Sequence, residues 1–191
     1  DRDAGGLRPL PAASSSGPNP AQASIEMLRR DRAYDSLVGY AEYIRIPGAP
    51  ISETDEEGIY EEVGTGIAPH HRLFMRKIQE CMETPFGRQM IFSAPAAAKS
   101  TYAQVVGATW YIGKYPGKKI ILASYGSELA EKHGKRAKSI IKQDEYFNVF
   151  GTRLKDDTRA AAMWALENGS EYMSGGILSG MTGNRADGLI C

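Results

Sequence analysis

The chain has 191 residues, enough for one domain with a substantial core and an appendage. Its 23 basic and 23 acidic side chains cancel, so no global basic field points to nucleic acid, and any DNA contact needs a local patch. Two distant cysteines, Cys81 and Cys191, give no disulfide framework and no zinc spacing; no apolar run nears the ~18 residues of a membrane span and no secretory leader pattern opens the chain, so a soluble intracellular protein is expected.

Residues 1–23, rich in Gly, Pro, Ala and Ser, cannot bury a core and read as a disordered arm, native or engineered. Ser24 is placed to cap a helix over Glu26–Ile44, with Leu28, Leu37, Val38, Tyr40, Ala41 and Ile44 as its apolar positions. Pro47-Gly48-Ala49-Pro50 ends it, and six carboxylates between Glu53 and Glu62 read as a solvated loop, so that 24–66 form a helical appendage. Pro69 then opens a helix over His70–Met82, with Leu73, Phe74, Ile78 and Met82 on one face. His70 and His71 at its start lack the spaced partners a metal would want. They stand as surface histidines, or as a helix-start or nucleotide-base contact.

The apolar run Gln89-Met90-Ile91-Phe92 reads as a buried strand, and Tyr102–Ile112 has helical spacing. Between them lies Ser93-Ala94-Pro95-Ala96-Ala97-Ala98-Lys99-Ser100-Thr101. Strand, tight small-residue loop, then Lys-Ser opening a helix is the layout of a phosphate-binding loop. Backbone N–H groups and a helix N-terminus hold the anion, Lys99 reaches the outer phosphates, Ser100 holds magnesium, and Thr101 sits in the first turn. In GxxxxGK[ST] the glycine positions fall on Ser93 and Ala98, neither of them glycine. Alanine meets a demand for positive φ or close approach less easily. A plain Pro/Ala turn with a solvated Lys99 is the competing reading.

Gly113, Pro116 and Gly117 stop that helix, and Lys119–Ser124 reads as a strand buried on both faces of a parallel sheet. Ser127–Lys142 reads as a helix buried along Leu129, Ala130, Ala137, Ile140 and Ile141. Its opposite side carries Lys132, Lys135, Arg136, Lys138 and Lys142, either a solvated face or a patch for a DNA backbone. Ala162–Leu166 and Glu171–Met173 flank Asn168-Gly169 as a hairpin. The glycine-rich stretch with Gly175, Gly176, Gly180 and Gly183 reads as a functional loop closed by Arg185, Ala186 and Asp187. Leu189-Ile190-Cys191 begins a further core strand, which leads us to expect a piece of a longer domain. The expected fold is α/β, a parallel sheet with the loop between its first strand and first helix.

Four stretches together resemble the ATPase domain of the large terminase subunit of tailed bacteriophages. They are Ala68-Pro69-His70-His71-Arg72-Leu73, Ala98-Lys99-Ser100-Thr101-Tyr102, Ile120 to Tyr125 with Leu129-Ala130, and Gly183 to Ile190, spanning residues 34–191. The resemblance implies a P-loop NTPase core of the ASCE/RecA-like kind over 67–191, with ATP and magnesium as cofactors. It also implies a motor that drives double-stranded DNA into a prohead from the cytoplasm of an infected bacterium. Its partners would be a portal protein, the small terminase subunit and further copies of itself in a ring. By the same resemblance Ala96 stands where relatives carry Gly or Arg, Arg185 is a candidate trans-acting finger, and His71 and Gln79 are candidate base contacts. Arg185 has an alternative role, pairing with Asp187 or capping its loop. In the family the strand begun at Gly188 runs on into the paired carboxylates of hydrolysis, and a nuclease domain follows. Nucleotide binding that is weak or absent, and hydrolysis that is impaired or lost, are therefore expected of this chain. A helicase-like P-loop ATPase and a non-enzymatic DNA-docking or assembly module using Lys132–Lys142 are the alternatives.

Overall fold

The computed structural model describes residues 19–51, 60–63, 66–155, 160, 162–177 and 183–191. The expected arm up to residue 18, most of the acidic loop and Gly180 lie outside the described residues. The helix expected to run unbroken to Ile44 is two helices. Asn19, not Ser24, caps α1 (Pro20–Asp35), its side chain accepting from the Ala21 N–H; the Ser24 hydroxyl instead donates to Pro20 O. Ser36 leaves helical geometry and caps α2 (Leu37–Tyr43) through its hydroxyl. Ala33, Leu37 and Tyr40 share one buried cluster with Trp110 and Ile112, so these N-terminal helices form a layer of the core. The Trp110 indole N–H donates to Ala33 O across that layer.

Pro47-Gly48-Ala49-Pro50, expected only to end a helix, is strand β1, antiparallel to β2 (Tyr60–Glu62). Helix α3 (Pro69–Glu83) buries Met75 and Ile78. A second long helical run begins at Lys99. Its residues Thr101–Gly107 are π-helical and Ala108–Lys114 form α4. The two runs lie side by side in the same direction. His71 meets Tyr102 at one end, and Glu83 pairs with Lys114 at 3.2 Å at the other.

The sheet has the order β4-β5-β3-β6, from β3 (Lys119–Ser124), β4 (Met163–Ala165), β5 (Glu171–Gly176) and β6 (Gly188–Ile190). β3 is parallel to both β5 and β6, whereas β4 pairs antiparallel with β5, which makes the sheet mixed rather than parallel as expected. The expected hairpin is present: Gly169 turns at φ 85°, and Trp164 stacks on Tyr172 with ring centroids 4.4 Å apart. Helix α5 (Ser127–Ile141) packs on β5, and the unexpected short α6 (Asp144–Phe150) ends at Gly151 in left-handed geometry. Leu129, expected in the buried stripe of α5, is half exposed, and His133 and Gly134 are buried there instead.

One expected strand is not in the sheet. Gln89–Phe92 pairs with no strand among the described residues. Ile91 packs against the core, while Met90 and Phe92 are 83% and 88% exposed. An apolar run alone specifies neither a register nor a neighbour. Both edges of β3, the one described strand with two parallel neighbours, are taken by β5 and β6.

Candidate functional site

The segment Ser93–Thr101 turns from the unpaired stretch into the helical run at residue 99. Ala96 and Ala98 adopt φ 61° and 53°, the left-handed region that alanine occupies at a cost of roughly 1–2 kcal/mol. Ala98 is where the sequence pattern wants glycine, and Ala96 is where the resemblance implies Gly or Arg; Ser93 has no positive φ. Left-handed residues alternating with right-handed ones turn successive N–H groups toward one side, forming a concavity that suits an anion. Ser100 follows in right-handed helical geometry and makes no side-chain cap, and the first N–H groups of a helix have no partner within it. The backbone is otherwise pinned by Ala97 N–H on Ala94 O at 3.4 Å and Tyr102 N–H on Ala98 O at 3.1 Å.

Lys99 folds back over this turn. Its ammonium donates to Ser93 O at 2.8 Å and Ala94 O at 3.0 Å. The cation therefore lies across the loop, held by two neutral carbonyls that a phosphate oxygen would outcompete as a charged acceptor. Pro95 lies exposed at the loop's outer side, and Ala97, Lys99 and Ser100 are half-buried.

Beside the loop stands the first turn of α3. The His71 ring lies 4.6 Å from that of Tyr102 and 4.0 Å from that of His70, and its Nδ1 accepts the Ala68 N–H. Burial, and then the neighbouring His70, push the His71 pKa down. Gln79 is elsewhere. Eight residues further along α3, about 12 Å, its amide accepts from Leu37 N–H and donates to Asp35 O and Glu83. The structure thus places His71 next to the loop and spends Gln79 on the α1–α2 junction.

Arg185 lies at the other end of the sheet. Asp187 immediately precedes β6, beside Lys119, whose N–H donates to Asp187 Oδ2 at 2.9 Å, while Lys118 Nζ donates to Oδ1 at 2.8 Å. These two donors hold the Asp187 carboxyl below its ordinary pKa. Asp187 is therefore committed to Lys118 rather than to Arg185. The helical run of 16 residues from Lys99 to Lys114, about 24 Å, separates the loop from this end of the sheet. Lys99 and Arg185 do not meet within one chain.

The basic side of α5 is not a uniform patch. Lys132 pairs with Glu128, Arg136 donates to Gly48 O and stacks over Tyr60, and Lys138 donates to Ala160 O. Burial lowers the Lys138 pKa, with Lys142 adding to it. Lys135 and Lys142 carry no ion pair among the described residues.

Behind the loop, the π-helical register of Thr101–Gly107 had no sequence signal beyond Gly107, which interrupts an otherwise regular helical pattern. Comparison with known proteins finds no matching family model, no similar curated protein and no similar solved structure.

Proposed function

We propose that Ser93–Thr101 binds the phosphates of a nucleoside triphosphate, and that the chain is the ATPase part of a viral DNA-packaging motor of the terminase large-subunit kind. One observation carries the nucleotide reading: two alanines are held in left-handed geometry directly before a lysine that is folded onto the same turn at a helix start. A plain turn gains nothing from that strain, whereas an anion site needs the convergent N–H groups it produces. The motor reading rests on the order and spacing of the four resembling stretches.

On this reading the loop N–H groups receive the β-phosphate, and Lys99 leaves its two carbonyls for the outer phosphates. The Ser100 hydroxyl holds magnesium together with phosphate and water; among the described residues no three His, Cys, Asp or Glu side chains gather into a metal-holding group. Bound magnesium–ATP supplies the phosphoanhydride whose cleavage drives DNA movement. His71, its ring tilted against that of Tyr102, offers its neutral ring to the base. Arg185 serves the loop of a neighbouring copy in a ring, in line with its distance from Lys99. Portal protein, small subunit and double-stranded DNA are the partners that follow, in the cytoplasm of an infected bacterium.

Calorimetric titration of a magnesium–ATP analogue tests the reading. We expect micromolar or weaker binding that disappears in Lys99→Ala. Equal binding by the two proteins, or none by the native chain, would overturn it.

A further inference from the structure

We propose that Thr109, held by Tyr40, is a positioning residue for the phosphate loop: it locks the π-helical register that sets where Lys99 and Ser100 point. The inference rests on the nucleotide reading above and goes beyond it.

The π segment Thr101–Gly107 begins at the residue after Ser100, so its register fixes how the loop is rotated about the helix axis. A π turn holds one residue more than an α turn. Each residue absorbed by relaxing to the α register would swing the loop end by about 100°. Left to itself, such a stretch has every reason to relax, because isolated π turns are rare. Something at its C-terminal end opposes that.

At the π–α boundary the Ala108 N–H turns back on Val105 O. The Thr109 hydroxyl donates to both Val105 O and Val106 O, 3.0 Å each. Hydroxyl-to-carbonyl bonds of this kind are ordinary in helices on their own. Here the hydroxyl oxygen also accepts from another element: with its one proton committed to the carbonyls, it takes the Tyr40 phenol of α2 at 3.0 Å. Tyr146 of α6 donates to Thr109 O at 3.2 Å. Thr109, Tyr40 and Tyr146 are all fully buried. Two tyrosines from two separate helices thus converge on one threonine at the point where the register changes. Gly107 leaves room for the arrangement, since a Cβ there would lie 3.0 Å from Tyr102 O and 3.4 Å from Ile78 Cγ2.

The test pairs nucleotide affinity with a register readout that does not depend on nucleotide. Magnesium–ADP titration is run on the native chain, Thr109→Ser, Thr109→Val and the double variant Tyr40→Phe/Thr109→Val, alongside hydrogen exchange of the amides of residues 101–107. The double variant removes both polar partners together, so no buried phenol is stranded and the fold is kept. Thr109→Ser should bind as the native chain does. The double variant should bind about tenfold more weakly, the worth of one loop N–H bond to a charged phosphate oxygen. Its amide exchange should change only within residues 101–107. A folded double variant that binds magnesium–ADP as the native chain does would overturn this inference alone. A native chain that binds none would overturn the nucleotide reading and this inference together.

Discussion

Ala96 and Ala98, with Phe86, are the non-glycine residues held at positive φ among the described residues. The two alanines sit near φ +55 to +60°. The left-handed region costs an L-residue with a Cβ roughly 1–2 kcal/mol, and glycine in its place gives back part of that through its larger unfolded-state entropy. Ala98→Gly is therefore expected to stabilise the fold by about 0.5–1 kcal/mol, a rise of about 1–4 °C in Tm for a chain this size. Ala98→Val, β-branched, should lower it. A thermal scan in which Ala98→Gly melts at or below the native temperature would mean that the loop is not left-handed in solution. His133 is a second residue with a legible cost. It is buried on α5 with Nδ1 lacking a hydrogen bond among the described residues, and burial, then Arg136, push its pKa below the ordinary 6.5. His71 is shifted in the same direction. Between its folded value and 6.5 the unfolded chain binds the proton and the folded chain does not, so stability falls as pH drops through 6.5 and levels off below the folded value. His133→Gln should flatten part of that decline. Melting curves from about pH 7.5 to 5 that run parallel for the two proteins would refute a neutral buried His133.

Elements were legible where their apolar pattern and their neighbours agreed. Lys119–Ser124 and Gln89–Phe92 look alike as short apolar runs, yet only the first lies in the sheet. Pairing is non-local, and nothing within the run itself says which edges β5 and β6 will occupy. The π register was hidden because Tyr102–Ile112 keeps helical spacing throughout, and the bonds that fix it come from Tyr40, distant along the chain. The spacing singled out Lys99 and Ser100 as candidates, and the positive φ observed at Ala98 followed from the glycine that the pattern wants there. The position of Arg185 was not legible, since the end of the sheet at which it falls depends on the parallel register of β6. Packing between elements carries its own prediction. A Cβ on Gly113 of α4 would lie 2.6 Å from Phe150 Cδ2 and 2.7 Å from the Tyr146 hydroxyl, both on α6. Gly113→Ala should thus cost about 1–3 kcal/mol through overpacking. Urea denaturation with an unchanged midpoint would mean that α6 is not seated on α4.

For the whole molecule the balance of charge sets what DNA can do. With 23 charges of each sign, affinity for a duplex has to come from wherever cations stand unpaired. On α5 the structure occupies Lys132, Arg136 and Lys138 with partners inside the chain, leaving Lys135 and Lys142 without ion pairs among the described residues. Two phosphate contacts imply a slope of log K against log salt of about −2, since each contributes about −0.9. Fluorescence anisotropy with a short duplex across a salt series should give that shallow slope, and Lys135→Ala/Lys142→Ala should bring it close to zero. A slope of about −5 or steeper would mean that the intramolecular partners of α5 are given up on DNA, and would favour a dedicated docking module over a motor. Adding magnesium–ATP analogue to the same titration separates the two further. A docking surface on α5 is indifferent to nucleotide, whereas a motor must change its grip on DNA with the state of its loop. That change has a route here, because α5 packs directly on the π segment behind Lys99.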